Sequence, residues 1–359
     1  MASTDLPAKY KAAIYDEPGK ISTKVVELDM PEPASGDVLI KLTHTGVCGS
    51  DLGLMTNRWR HMPVPTAAGQ VGGHEGIGHV VKLGPGTENS GVKVGDRVGI
   101  KWLAGICGSC QPCLNGYDAA CERQKISGFY WPGTFQQYVT SPANYVTPIP
   151  DEVSSEAVAP LLCAGVTAYS ALRKTNLKSG QWVVLMGAGG GLGHLATQIA
   201  ARGIGLRVIG IDSGSKRELV LESGAEHFLD FSSKDIVKEV TEITGGLGAH
   251  AVVVLTNANG AYAAAIDLVR VGGTITCVGI PEGDMLPIAN AFPQILIGKS
   301  LKIIGVAVGN RQEAIETLDL AARGIIKTHY VVDKLENLTQ IFQNMHDGKL
   351  NGRVVLDLQ

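Results

Sequence analysis

Apolar and polar residues alternate through the first third of the chain. Short β-branched stretches such as DVLIKLTHTGVCGS, GIGHVVKLGPG and KVGDRVGIKW are separated by glycine and proline. A period of two is typical of strands with one buried face. The pattern therefore predicts a mainly β domain at the start of the chain.

From about Val166 the pattern changes to apolar strands separated by helices. WVVLMG and RVIGID predict strands, and HLATQIAARG between them repeats apolar residues at helical spacing. AHAVVVLT, GTITCVGI and LKIIGVAV predict further strands, with the helical stretch NGAYAAAIDLVR between the first two of them. Strands that alternate with helices predict an α/β domain with a doubly wound parallel sheet.

A chain of 359 residues suits two domains of roughly 150 to 200 residues each. We predict a β-rich domain over residues 1–165 and the α/β domain over 166–300. The last segment, 301–359, carries a predicted helix in RQEAIETLDLAARG and ends in the predicted strand NGRVVLDLQ. We expect this segment to return to the first domain.

Composition and charge narrow the possible partners. The chain has 31 basic and 34 acidic residues without long runs of like charge, so we expect no nucleic-acid partner. It has no apolar run of the ~18 residues that a membrane span needs, so we expect no membrane contact. The N-terminus, MASTDLPAKYKAAIYDEPGK, has neither the apolar core of a secretory signal nor the arginine-rich character of a transit peptide. We therefore expect a cytoplasmic location.

Four of the seven cysteines are close together in the sequence. They follow the spacing C-x2-C-x2-C-x7-C, which lets four thiolates close on one tetrahedral Zn²⁺ and leaves no open position for a substrate. We therefore predict a structural zinc loop over residues 105–122, with iron–sulfur ligation and a nucleic-acid zinc ribbon as alternatives. The predicted ligands are Cys107, Cys110, Cys113 and Cys121.

A glycine-rich turn follows the first strand of the α/β domain. Glycines there let the backbone approach a pyrophosphate, and the next strand ends in Asp212, which suits the ribose hydroxyls of adenosine. This favours NAD over NADP, although Lys216 and Arg217 leave room for both; a tight turn without a ligand is the alternative. The glycines are Gly187, Gly190, Gly191 and Gly193.

Three further residues are of the metal-binding type: Cys48, His74 and Cys163. Two cysteines and one histidine, with one open position, form a ligand set known for alcohol oxidation. Taken singly, each cysteine is more often a small buried core residue, and the histidine a hydrogen-bonded residue of the core or surface. The spacing alone leaves both interpretations open.

Several motifs resemble those of one family. GVCGSDL, GGHEGIGHVV, KVGDRVGIKWL, the four-cysteine loop, GTFQQYV, APLLCAGVTAYSAL, GAGGGLGHLA and VGNR are similar, in order and over almost the whole chain, to zinc-dependent medium-chain alcohol dehydrogenases. The yeast-type tetrameric enzymes are the nearest group. The resemblance implies a GroES-like catalytic domain built from both chain ends, a Rossmann domain between them, an active site in the cleft and a homotetramer.

The resemblance also implies a catalytic zinc. Cys48, His74 and Cys163 would be its ligands, and Glu75 would enter coordination transiently during ligand exchange. Asp51 would hold the histidine tautomer, as carboxylates behind metal-bound imidazoles do. The chain would then bind two zinc ions, one catalytic and one structural.

The remaining implied roles concern the reaction and its cofactor. Ser50 matches the hydroxyl that accepts the alcohol proton. Thr167 and Val278 match positions near the nicotinamide, Arg353 matches a pyrophosphate contact and Lys216 a ribose contact. The implied reaction is reversible hydride transfer between a primary alcohol or aldehyde and NAD.

The sequence departs from the yeast-type pattern in the stretch CGSDLG. Gly49 stands where many relatives have Arg or His beside the pyrophosphate, and Gly53 stands where many have the histidine of a proton relay. His44 and His61 are candidates to replace it, and Trp59 and Trp102 would narrow the substrate pocket. Two alternatives stay open: a biosynthetic alcohol or aldehyde oxidoreductase with a bulkier substrate, and an inactive NAD-binding regulator.

Overall fold

The structure is a computed structural model that describes residues 6–129 and 131–359. Its first part is mainly β, because the predicted alternation forms antiparallel strands. Strand β1 pairs with β2 and β4 in a small sheet, and β3 is the long central strand of a larger one. The elements are β1 (Lys9–Tyr15), β2 (Thr23–Asp29), β3 (Asp37–Val47), α1 (Gly49–Met55), β4 (Gln70–Val71), β5 (Gly76–Leu83), β6 (Arg97–Ile100), β7 (Leu103–Gly105), α2 (Gln111–Leu114), β8 (Lys125–Ile126), β9 (Tyr138–Pro142), β10 (Thr147–Pro148) and α3 (Ser155–Val158).

The second part is a six-stranded parallel sheet with helices on both faces. Its elements are α4 (Ala164–Lys174), β11 (Trp182–Met186), α5 (Gly193–Gln198), β12 (Arg207–Asp212), α6 (Arg217–Glu222), β13 (His227–Asp230), α7 (Ile236–Ile243), β14 (Ala249–Val254), α8 (Asn259–Leu268), β15 (Val269–Cys277), α9 (Pro293–Lys299) and β16 (Lys302–Gly305). The strand order is β13-β12-β11-β14-β15-β16. The chain thus adds strands first on one side of β11 and then on the other side. This is the doubly wound order of dinucleotide-binding sheets, with its crevice at the reversal. The predicted fold class is confirmed.

The parallel sheet extends past the predicted boundary at residue 300. Strand β16 pairs with β15 from Lys302 to Gly305. The strand predicted at LKIIGVAV is confirmed. Its position in the sheet depends on long-range pairing, which the local pattern does not show.

The C-terminal segment crosses back to the first domain. Its elements are α10 (Arg311–Ala322), β17 (Tyr330–Lys334), α11 (Leu338–His346) and β18 (Arg353–Asp357). Strand β18 pairs antiparallel with β3, which gives the order β10-β6-β5-β3-β18-β17, with β9 also on β3. This crossing brings the start of β18 to the cleft between the two domains.

The side chains of successive residues in the parallel strands pack into different hydrophobic clusters, one on each face of the sheet. In β11, Val183 and Leu185 pack into one cluster beneath α4 and α5, whereas Val184 and Met186 pack into another beneath α8. Burial on both faces explains why these strands are continuous apolar runs. A third cluster fills the first domain around β3.

The helices of the described residues are short relative to a membrane span. No single one is long and apolar enough to cross. Residues 155–162 and 164–174 reach that length and apolarity only together, and they are bent by 49° at the break.

Candidate active site in the interdomain cleft

The start of helix α1 holds the first site residues in place. Cys48 is the N-cap of the helix, and its backbone N–H donates to Oδ2 of Asp51 at 2.9 Å. Oδ1 of the same carboxylate lies 2.8 Å from Nδ1 of His74, and both side chains are buried. Burial lowers the pKa of His74, but the Asp51 carboxylate and, to a smaller extent, the Cys48 thiol together outweigh it and raise that pKa. Asp51 therefore fixes the imidazole so that Nε2 points away from it.

Four side chains predicted from three separate motifs meet at this point. One ligand atom from each of Cys48, His74, Glu75 and Cys163 lies within 4.8 Å of all the others, and the two Sγ atoms are 3.9 Å apart. Within the described residues, Nε2 of His74 is buried and has no hydrogen-bond partner. A buried nitrogen without a partner is costly. Two thiols, an imidazole and a nearby carboxylate are a donor set that fits Zn²⁺.

Glu75 is held by Arg353 at the start of β18. Nη2 of Arg353 is hydrogen-bonded to Oε1 of Glu75, and Nη1 lies 3.9 Å from Sγ of Cys48. Burial raises the pKa of Glu75 to about 8, although the Arg353 guanidinium opposes this. A Cβ on Gly46 would lie 1.9 Å from Oε2 of Glu75, so the carboxylate needs a glycine at that position.

The four-cysteine loop forms a second cluster. One ligand atom from each cysteine lies within 4.8 Å of the others. The backbone N–H of Cys110 donates to Sγ of Cys107 at 3.3 Å, and that of Cys107 donates to Sγ of Cys121 at 3.3 Å. Backbone hydrogen bonds, first from Ser109 and then from Cys110, lower the pKa of Cys107 to about 5. Four converging thiols with amide donors to sulfur fit a closed zinc site.

The glycine-rich turn lies between β11 and α5. Gly187 has φ +85°, and a Cβ on Gly193 would lie 2.0 Å from the Gly187 carbonyl oxygen, so the tight turn requires glycine at both positions. The backbone N–H of Gly189 donates to Oδ2 of Asp212 at 2.8 Å. Nζ of Lys216 contacts Oδ1 of Asn351 from the C-terminal segment. The turn and its acidic partner fit a dinucleotide.

The cleft between the domains contains a cavity of about 1360 Å³. Seven predicted site residues line it: Cys48, Ser50, Cys163, Thr167, Gly191, Val278 and Arg353. His74 and Asp51 are buried behind the wall, while Asp212 and Lys216 lie outside the lining. Oγ of Ser50 is 3.7 Å from Sγ of Cys48. The structure thus brings the predicted metal, proton-transfer and nicotinamide residues to one cleft.

The indole of Trp59 lies against Gly53. A Cβ on Gly53 would be 2.8 Å from Nε1 of Trp59. Trp59 and Trp102 both line the cavity, with ring centroids 6.0 Å apart. His61 lines it too and lies 5.6 Å from the Trp59 ring, whereas Nε2 of His44 is 3.5 Å from Oε1 of Glu156. A larger residue at 53 requires Trp59 to move.

Sequence reasoning missed contacts that cross the cleft. Arg58 pairs with Glu282, and Asn351 contacts Lys216. Arg58 and Glu282 are far apart in the chain and lie in loops with no motif, so local spacing carries no signal for the pair. Charge is the signal that could have suggested the pair, because RWRH in one loop is basic and PEGD in the other is acidic.

Comparisons with known proteins agree with this geometry. Residues 34–151 match the alcohol dehydrogenase GroES-like domain family, and residues 191–323 match the zinc-binding dehydrogenase family. The chain is 58% identical to alcohol dehydrogenase 2 of Emericella nidulans, and the alignment covers 100% of both chains.

Two solved structures are also similar over nearly the whole chain. An alcohol dehydrogenase from Aeropyrum pernix matches with a TM-score of 0.85 at 30% identity, covering 97% of this chain and 99% of that one. Acetophenone reductase from Geotrichum candidum, solved in complex with NAD, matches with a TM-score of 0.84 at 25% identity, covering 98% of each chain. The chain belongs to the zinc-dependent medium-chain alcohol dehydrogenase family, and it is an alcohol dehydrogenase.

Proposed function

We propose that this alcohol dehydrogenase interconverts primary alcohols and aldehydes with NAD as the hydride carrier. The observation that carries the proposal is the buried Nε2 of His74, which has no hydrogen-bond partner among the described residues and faces two thiols at the cleft. A nitrogen in that setting is explained by a metal ligand role.

Cys48, His74 and Cys163 would hold the catalytic zinc, with Glu75 as a transient ligand. When bound, zinc would act as a Lewis acid that makes the alcohol hydroxyl more acidic, and NAD would accept the hydride. Asp51 accepts from the imidazole and so keeps Nε2 free for coordination. Cys107, Cys110, Cys113 and Cys121 would hold a second, structural zinc ion.

Ser50 and two cleft residues would serve the reacting groups. The Ser50 hydroxyl lines the cavity beside Cys48 and would accept the alcohol proton. Thr167 and Val278 line the same cavity and would contact the nicotinamide. Arg353 approaches the glycine turn, since a Cβ on Gly191 would lie 3.0 Å from its Cδ, and it would contact the pyrophosphate.

NAD rather than NADP is favoured by the acidic residue beside the turn. Asp212 ends β12, and its carboxylate would accept from the ribose hydroxyls and repel an extra phosphate. The two basic residues nearby are engaged, because Lys216 contacts Asn351 and the Arg217 guanidinium lies 5.5 Å from the Phe228 ring. Gly187, Gly190, Gly191 and Gly193 would line the path of the pyrophosphate.

Asp212→Asn is expected to lower kcat/KM for NAD by about tenfold, because a charge-assisted hydrogen bond contributes about 1.5–3 kcal/mol. The ratio of NADP to NAD activity should rise at least as much. Asp230→Asn is a matched control, since Asp230 ends the adjacent strand in register with Asp212. An unchanged cofactor ratio in Asp212→Asn would contradict the assignment.

The pocket supports a second candidate substrate class. Trp59 and Trp102 narrow the cleft towards small primary alcohols, but the cavity is large enough for a bulkier alcohol or aldehyde of a biosynthetic pathway. An NAD-binding regulator without turnover is less well supported, because the metal cluster and Ser50 are all present at the cleft.

Assembly, location and domain limits are proposed as well. A homotetramer is supported by the free edge of β16 and the exposed apolar residues Ile297 and Phe292 nearby. A cytoplasmic location is supported by the two thiol clusters, which need reduced cysteines. The cofactor domain would run from residue 166 to the end of β16 at Gly305, beyond the predicted boundary at residue 300, and residues 1–165 and 306–359 would form the catalytic domain.

Zinc content and turnover of the purified chain test the proposal together. We expect two zinc ions per chain and NADH formation with ethanol, longer primary alcohols or benzyl alcohol, with weaker activity when NADP replaces NAD. Two zinc ions without turnover of any simple alcohol would favour a specialised substrate or a regulator. A zinc content near zero would overturn the metal assignments.

A further inference from the structure

The loop after α1 bridges the mouth of the cleft. Nη1 of Arg58 lies 3.2 Å from Oε2 of Glu282 and 3.2 Å from Nδ1 of His346. The backbone N–H of Gly283 donates to the Arg58 carbonyl oxygen at 3.3 Å. Glu282 and Gly283 follow β15 of the cofactor domain, whereas Arg58 belongs to the catalytic domain. Arg58 therefore joins the two sides of the cleft through both its side chain and its backbone, and an ion pair between Arg60 and Asp284 joins the same two loops.

The next residue in this loop is a wall of the substrate cavity. Trp59 lies against Gly53, and its ring is 6.0 Å from Trp102. Trp102 in turn meets the His74 ring edge-on at 5.0 Å between centroids. A row of ring contacts thus runs from the interdomain bridge to the metal cluster.

The Trp59 indole lies at the edge of its own domain, where it packs against the small apolar cluster of Leu54, Ile126 and Phe129. Its ring is tilted against those of His61 and Trp102, its Nε1 lies over Gly53, and it is only partly buried. The backbone that carries it is tied to Glu282 and Gly283 through Arg58. Separation of the two domains would break those ties and leave Trp59 held only by the contacts of its own domain.

We propose that Arg58 is a positioning residue that fixes Trp59 in the substrate cleft by binding Glu282 and Gly283 of the opposite domain. Closing the cleft and completing the alcohol pocket are then a single event. The inference rests on the proposed alcohol oxidation in this cleft. It predicts that the bridge governs how well small alcohols are held, because these depend on a narrow pocket for their contacts.

The contribution of the pair to stability is small. The side chains of Arg58 and Glu282 are 33% and 36% exposed, and solvent screens ion pairs at that exposure. Lys11 and Glu336 form an ion pair with the same 3.2 Å separation inside the catalytic domain. Lys11→Gln therefore removes a comparable surface charge pair without touching the cleft.

The test uses the zinc-loaded enzyme with Arg58→Gln, Glu282→Gln and the reversed pair Arg58→Glu with Glu282→Arg. Each single variant is expected to lower kcat/KM for ethanol by about fivefold, the range of an ion pair of this kind, mainly through KM. The effect on benzyl alcohol should be smaller, and NADH should dissociate faster. The reversed pair should recover much of the loss, as interacting residues do in a double-mutant cycle.

Hydrogen exchange separates this inference from the proposed function. In Arg58→Gln, residues 56–64 and 279–286 should exchange faster than in Lys11→Gln, whether or not a simple alcohol is turned over. Absence of turnover by the unaltered enzyme would count against the proposed function alone. Arg58→Gln that matches Lys11→Gln in exchange and kinetics, or a reversed pair no more active than its component variants Arg58→Glu and Glu282→Arg, would overturn the role of Arg58.

Discussion

His74→Ala is expected to lower kcat for alcohol oxidation by at least about 10³-fold and to remove one of the two proposed zinc ions. A Lewis-acid metal contributes several kcal/mol to catalysis, and each ~1.4 kcal/mol is a factor of ten in rate. The change removes the imidazole whose Nε2 faces the two thiols and leaves the buried Asp51 carboxylate without its 2.8 Å partner. Zinc analysis and single-turnover formation of NADH measure the two effects.

His79→Ala is the control for this variant. His79 lies on β5, five residues further along the chain, and its side chain is exposed. We expect it to keep both zinc ions and most of the activity. If His74→Ala kept two zinc ions, or kept more than about a tenth of the kcat of the unaltered enzyme, the ligand assignment would be wrong.

The fold could be predicted wherever the burial of a segment is visible in its own sequence. Trp182–Met186 is apolar at every position because both faces of β11 are covered, so the strand is evident. Strand β13, His227–Asp230, was not predicted, because only its two central residues are buried and its ends are polar. The pairing of β18 with β3 depends on partners more than 300 residues apart, for which no local pattern exists.

The two groups of candidate metal ligands could be predicted to different degrees, because sequence spacing is informative only when the residues are close together in the chain. The four thiols of the loop lie close together in sequence, so their spacing predicted their meeting. Cys48 and Cys163 come within 3.9 Å only because the fold brings the N-terminal ends of α1 and α4 together. Spacing left that pair ambiguous, and only the resemblance to known enzymes joined them. The contact between Glu75 and Arg353 had no sequence signal at all.

Cys113→Ser is expected to release the other zinc ion and to destabilise the enzyme by several kcal/mol, lowering the thermal midpoint by on the order of 10 °C. Apart from a bound zinc ion, few contacts would hold the four-cysteine loop in place. Helix α2 buries none of its four residues, and Leu114 and Tyr117 are 74% and 63% exposed. Outside the cysteines, its main tie to the domain is the hydrogen bond from the Tyr145 hydroxyl to Asp118 at 2.6 Å.

Limited trypsin digestion tests this more sharply than heating does. Without its zinc the loop should open, and cleavage after Arg123, an exposed residue that donates through its backbone N–H to Sγ of Cys121, should become fast. Cys277→Ser removes a thiol outside both clusters and should keep both zinc ions and the original digestion rate. Because residues 116–120 also line the cleft, opening the loop should weaken alcohol binding while NADH still binds. Cys113→Ser that kept two zinc ions and resisted trypsin would show that hydrogen bonds such as that of Tyr145, rather than a metal, hold the loop.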